Sequence, residues 1–240
     1  MGDNCAMGEP LTGTNQAELP DTSTSAEHGA AGLRRVEQIM GTAISIDVRD
    51  AGIPPATLDD AFEYLRGIDR RFSTRAYLPD PVEEKMLQQV LDAARMAPTA
   101  ANLQPFRLIV VHTGGKQAEL KKVYSPGWLS QAPLLICACS VPSEGWKHVH
   151  TGKNYCDIDV AIVMDHIIMA ATALGLGTCW IAAFDHTALR KMMRLPDELE
   201  AIALTPLGHP AEKAVPKIRR PLEDLVRYEH WHGLSPRHPC

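Results

Sequence analysis

No apolar run in the 240 residues approaches the roughly 20 that a membrane-spanning helix requires. The best candidate, residues 132–141, has the length of a core strand. Basic residues are not in excess either: 24 Lys and Arg stand against 29 Asp and Glu, a net charge of −5 with histidine neutral. A general nucleic-acid binder usually shows a basic face, so that class is disfavoured; the ten histidines add positive charge only where protonated. Six cysteines are too sparse and irregular for a disulfide scaffold in a chain this long. The start of the chain lacks the basic segment and continuous apolar stretch of a secretory signal. No internal repeat is present. The expectation is a cytoplasmic, reduced protein that binds neither membrane nor nucleic acid. Its 45% hydrophobic and 22% charged content is ordinary for a globular chain.

What is present divides unevenly. Residues 1–35 read as a disordered leader, with too few large apolar side chains to offset the entropy of ordering. Residues 36–69 read as a strand and a helix. Ile44, Ile46 and Val48 alternate with polar residues, 50–55 break the chain, and Thr57 suits the N-cap of a helix through Phe62, Leu65 and Ile68. Residues 70–232 read as the main domain, and 233–240 as a loose tail. Within that domain a helix is expected from Asp80 and Pro81 to Pro98, with Val82, Met86, Leu87, Val90, Leu91 and Ala94 as its apolar stripe. Residues 106–112 and 134–141 read as strands buried on both faces. A polar helix over 116–124 lies between them. Residues 158–174 form a nearly all-apolar central helix that ends at Gly175 and Gly177. Strands at 179–183 and 202–207 flank a helix over 187–193, and the region 217–231 is basic, then helical, then loose.

Four clusters could carry chemistry. Arg71, Ser73 and Arg75 set two guanidinium forks around a hydroxyl, a donor set suited to phosphate, although arginines at a helix end are commonly just solvated. Lys217, Arg219 and Arg220 form a second basic group some distance along the chain, open to the same two readings. Asn102 and Gln104, in the turn that begins at Pro98, each donate and accept, which suits the edge of a planar heterocycle as well as local backbone. Gly175 and Gly177 allow close approach to a neighbouring element or to a ligand, and their Gly-x-Gly follows a helix, unlike a dinucleotide fingerprint. His148, His150, Cys156 and Asp157 are metal-ligand types at a spacing that fits no closed zinc pattern, so no metal is expected. Cys137 and Cys139 share one strand face as core filling, and Cys179 reads as a small core residue.

Five motifs in one order resemble the FMN-dependent nitroreductase family over about residues 70–231. They run from Arg71 through Arg75 and Tyr77 to Val82, from Ala97 through Asn102 to Phe106, from Gly175 to Phe184, from Pro206 to Pro210, and from Lys217 to Pro221. The resemblance implies an α+β nitroreductase-like fold, a central mostly antiparallel sheet flanked by helices, in an intertwined homodimer with FMN at the subunit interface. It implies a cofactor-binding set. Arg71, Ser73 and Arg75, with Phe72 between them, hold the FMN phosphate and ribityl chain, and Lys217 and Arg219 complete the phosphate site. Pro98, Thr99, Asn102 and Gln104 come from the partner subunit to the isoalloxazine, and Trp180, Ile181 and Ala182 lie along the ring edge. Phe72 and Phe106 depart from the polar residue and the tryptophan common at those places.

The implied activity is an oxidoreductase that takes hydride from NADH or NADPH and reduces a nitroaromatic, a quinone or a similar electron-poor small molecule by a ping-pong cycle. No catalytic side chain is expected, because the flavin carries the chemistry, consistent with the lack of an acid–base dyad. A flavin storage or delivery protein without turnover is the alternative, as are a dehalogenase or a flavin-cleaving enzyme on the same fold. The region 124–155, with Trp128, Trp146, His148 and His150, is the expected lid. The stretch 36–74 resembles the opening strand and helix of the FAD:protein FMN transferase family.

Overall fold

The computed structural model describes residues 34–39, 42–47 and 55–233. The leader up to residue 33, the break at 50–54, Val48 and the tail from 234 lie outside them. The chain divides into two compact units, with the division between Arg66 and Gly67. In the first, β1 (Arg34–Ile39) pairs antiparallel with β2 (Thr42–Asp47), with Ile39 opposite Thr42. Only the second of these strands has the alternating pattern that the sequence made visible. The helix α1 (Pro55–Arg70) begins at a proline, whose missing N–H is no loss at the first helical position.

In the second unit the sheet is four-stranded, in the order β3-β4-β6-β5, and every neighbouring pair is antiparallel. Its members are β3 (Phe106–His112), β4 (Leu134–Ser140), β5 (Gly177–Thr178) and β6 (Glu200–Gly208). Every residue of β4 is buried, and its alternation sends side chains to two cores. Leu134, Ile136 and Ala138 pack with α2 (Glu84–Arg95) and α4 (Cys156–Ala173). Leu135, Cys137 and Cys139 pack with α3 (Gln117–Val123) and α5 (His186–Met193). The cofactor-family fold expected from the sequence, a mostly antiparallel sheet between helices, is the one observed.

The structure departs from expectation at several points, beginning with α1, which starts at Pro55 so that Thr57 lies inside the helix and not at its N-cap. The helix α2 starts at Glu84 rather than at Asp80 and Pro81, and Val82 packs against the core from the preceding coil. The strand β3 lies at the sheet edge, so its residues are half-buried or exposed instead of buried on both faces. The expected strand over 179–183 is interrupted. Thr178 pairs with Leu207 and Ile181 bridges Leu204 in one continuous register, but Cys179 stands opposite Pro206. Proline has no N–H to give the ladder, and the Cys179 N–H turns to the Thr205 hydroxyl at 3.2 Å. A bulge in β6 also matters: the pairing shifts between Ala138/Ala203 and Cys139/Ala201, leaving Ile202 extra. That extra residue switches the strand's parity, so that Ala201 reaches the second core while Ala203 and Leu207 serve the first. After β6 the chain continues through the short α6 (Leu222–Leu225).

Candidate functional site

The segment after α1 is held in place from below. Ser73 forms a parallel bridge with Thr178, and the Thr74 N–H donates to the Thr178 carbonyl at 2.9 Å. The buried Tyr77 hydroxyl donates to the Thr74 carbonyl at 2.8 Å, and Tyr77 itself bridges Pro210. Burial pushes the Tyr77 phenol far above its usual range, so it remains a donor. The Arg75 N–H donates to the Glu212 carboxylate. Two glycines make this arrangement possible. Gly175, with φ +75°, turns the chain out of α4. A Cβ on Gly177 would stand 2.7 Å from Thr74 Oγ1 and 2.8 Å from its Cγ2. The close approach read from the Gly-x-Gly is thus to a neighbouring segment, and it brings residues 71–75 against 177–180.

The Cys179 thiol lies within electrostatic reach of Arg71, Ser73 and Arg75: burial raises its pKa, and these three oppose the rise. The thiol is therefore protonated at neutral pH, a core residue as expected. Lys217 joins the group from the far end of the chain. Its ammonium donates to the carbonyls of Ile68, at 3.2 Å, and Asp69, closing the last turn of α1. Burial lowers its pKa, the Asp69 carboxylate opposes that, and Arg71 and Arg219 add repulsion. Four cations from two distant segments thus share one place in an acidic chain. Arg75 and Arg219 are exposed, and Arg71, Phe72 and Ser73 half-buried. A cavity of ≈ 170 Å³ opens beside Arg71 and Phe72, lined in part also by Thr74, Gly175 and Pro210. The Thr74 hydroxyl, on the side of Gly177, is buried without a hydrogen-bond partner among the described residues.

The loop between α2 and β3 is built separately. Thr99 Oγ1 accepts from the Gln104 N–H at 3.1 Å, and Gln104 Nε2 donates to the carbonyl and side-chain oxygen of Asn102, each at 3.3 Å. Pro98, Asn102 and Gln104 are exposed and Thr99 half-buried. Among the described residues, no hydrogen bond joins this loop to the cationic group. On the other side of Cys179, Trp180 is 39% exposed and Ala182 is exposed, whereas Ile181 is 4% exposed. Both backbone groups of Ile181 pair with Leu204 at 2.9 Å. Ile181 therefore anchors its neighbours and presents no surface of its own.

The region 124–155 is not one lid. The fully buried β4 runs through it, and Trp128 packs edge-on against Tyr124 over the second core. Only the part after β4 forms a surface loop, in which Trp146 meets Tyr155 and His148 edge-on, and His148 Nδ1 accepts from the N–H groups of His150 and Thr151. Among the described residues, no group of three or more His, Cys, Asp or Glu side chains is placed to hold a metal ion. The roles of Thr74, Tyr77, Glu212 and Asp159 come from the structure. Tyr77 lay within a family motif, but nothing in the sequence marked Glu212 as the acceptor for Arg75.

Fold and site together define an α+β protein with a cationic cradle at one sheet edge, of a kind suited to a phosphorylated ligand. The model of the Nitroreductase family matches residues 68–133 and 116–209, and the chain belongs to that family. A crystal structure of a nitroreductase family protein from Clostridium difficile 630 is 36% identical, with a TM-score of 0.63, covering 70% of this chain and 98% of that one. An NADH dehydrogenase from Thermus thermophilus is 28% identical over 187 residues, 65% of this chain and 91% of that protein. An FMN reductase (NAD(P)H) from Bacillus subtilis is 25% identical over 187 residues, 70% of this chain and 74% of that protein.

Proposed function

We propose that the protein is an FMN-dependent oxidoreductase that uses NADH or NADPH to reduce a nitroaromatic, a quinone or a similar electron-poor acceptor by a ping-pong cycle. The observation that carries this reading is the convergence of 71–75, 177–180 and 217–219 on one cationic cradle, built around a backbone bridge. The residues present fit the cofactor: guanidinium forks suit a phosphate dianion, and Arg71 and Phe72 also line the cavity at this edge. Arg71, Ser73, Arg75, Lys217 and Arg219 would hold the phosphate and ribityl chain, with Phe72 against it. Trp180 and Ala182 would border the ring, positioned by the Ile181 anchor. When bound, FMN supplies a two-electron carrier between the nicotinamide donor and the acceptor.

The protein's own contribution is to bind, orient and shield. Its cations favour a negatively charged cofactor in either redox state. The exposed Pro98, Thr99, Asn102 and Gln104 fit a site completed by a second copy of the chain, in a homodimer with FMN at the interface. Apolar residues beyond β6, Val215, Ile218, Leu222 and Trp231, are exposed, and side chains of this kind are available to a partner surface.

Replacing both Arg71 and Arg219 with alanine tests the site. Each removes a charge-assisted contact of about 1.5–3 kcal/mol, so the variant is expected to purify largely without flavin and as a dimer. Full flavin occupancy in the double variant, or elution of the native protein at monomer mass, would contradict the shared cradle.

A further inference from the structure

The loop that carries Thr99, Asn102 and Gln104 has an unfavourable backbone. Ala101, Asn102 and Gln104 have φ of 52°, 53° and 52°. This left-handed region is unfavourable for an L residue, and alanine has no side chain to compensate locally. Bonds inside the loop hold part of the shape: the Asn102 N–H donates to the Thr99 carbonyl and the Leu103 N–H to the Ala100 carbonyl. Such short-range turns persist only where the surrounding structure over-determines them.

The determinant is in α4. Asp159 Oδ1 accepts from the Ala100 N–H at 2.9 Å, and among the described residues this is the hydrogen bond that ties 98–104 to a sequence-distant element. Asp159 is 2% exposed, and its Oδ2 is buried with no hydrogen-bond partner among the described residues. Its helix neighbours Val160, Val163 and Met164 are fully buried and apolar. A carboxyl group with one oxygen unsatisfied is a poor choice for packing alone, because burial without full pairing is costly. The geometry fits a different task, fixing a strained loop in one conformation.

Resting on the flavin assignment of this loop, we propose that Asp159 is the positioning residue of the site. From the core of one chain it sets the conformation in which Thr99, Asn102 and Gln104 are presented to the flavin held mainly by the partner's cradle. It touches neither cofactor nor substrate. Functionally, the loop's shape then becomes a property of α4, whose Val160, Val163, Met164 and Ile167 lie in the first core.

The test compares the native full-length protein with Asp159→Ala and Asp159→Asn, by amide hydrogen exchange over residues 98–105 without flavin, and by FMN titration. In Asp159→Ala the Ala100–Gln104 amides are expected to exchange at least about tenfold faster, and FMN to bind about tenfold more weakly, as the loss of one buried hydrogen bond predicts. Asp159→Asn keeps an acceptor at the same place and is expected to recover most of both effects, which a general packing defect would not allow. Ala100→Pro supplies the same test without disturbing α4: it deletes the donor from the loop side, and Thr99, with φ −130° and ψ 155°, already has the backbone a proline demands before it. That variant is expected to weaken FMN by a similar factor. Unchanged loop exchange in Asp159→Ala, or unchanged FMN affinity in Ala100→Pro with Asp159→Ala unfolded, would overturn the assignment. Faster exchange with unchanged FMN affinity would uphold Asp159 as the loop's anchor and overturn the flavin role of the loop.

Discussion

Single atoms decide whether the cradle can close. Gly177 has no side chain, and that absence lets the Thr74 segment lie against β5. Gly177→Ala would force at least one atom within 3 Å of three Thr74 atoms, a local overpacking that costs about 1–3 kcal/mol. Thermal unfolding is expected to show the loss directly, accompanied by weaker flavin retention, because Ser73 bridges the same strand. Lys217 sets a pH dependence. Its pKa is lowered in the free protein, chiefly by burial, and a bound phosphate dianion would raise it again. FMN affinity is therefore expected to be flat near neutrality and to fall as pH rises from below the ordinary lysine range, as the free protein gives up that proton first. Stability of the flavin-free protein moves the opposite way in that window, because the unfolded chain holds the proton longer. Titrations of Lys217→Arg, which stays charged, should lose the alkaline fall in affinity; a fall that persists in this variant would assign it to another group.

The elements work as a frame with β4 at its centre. Ile136 is completely buried between α2, α4 and the sheet, and Ile136→Ala is expected to cost about 2–5 kcal/mol, read as a lower denaturant midpoint, with no specific effect on nucleotide preference. This frame was legible in the amino-acid sequence. The periodicity of α2, the unbroken apolar run of β4 and the all-round apolarity of α4 each have one physical explanation, and each element is present, with its ends shifted by a few residues. What failed to show was pairing. The alternation of β2 is visible, whereas β1, rich in Arg, Glu and Gln, looks unlike a strand and becomes one through its partner. The strand expected over 179–183 breaks because Pro206, on a different strand, has no N–H to offer. The half-buried state of β3 follows from its place at the sheet edge, which local pattern does not encode. In the site, the arginines, the amides and the glycines were recognisable by residue type and order. Asp159 was hidden among apolar neighbours, because its role depends on a backbone N–H 59 residues away.

At the scale of the whole molecule, a net charge of −5 conceals a basic focus. Arg71 and Arg75 follow the first helix, Lys217 and Arg219 follow the last strand, and the fold between them brings both pairs to one sheet edge. Among the described residues no helix is long and apolar enough to cross a membrane. Exposed apolar side chains concentrate beyond β6, and the polar loop of 98–104 faces outward. A second copy of the chain would answer both features at once, covering the apolar arm and receiving the loop. The account stands most directly on one measurement, anaerobic stopped-flow absorbance of the purified protein mixed with NADH or NADPH. An oxidised flavin band that bleaches within seconds, and returns on adding a quinone or a nitroaromatic, is the predicted result. A purified protein with no flavin band, or one whose band survives both nicotinamides unchanged, would contradict it.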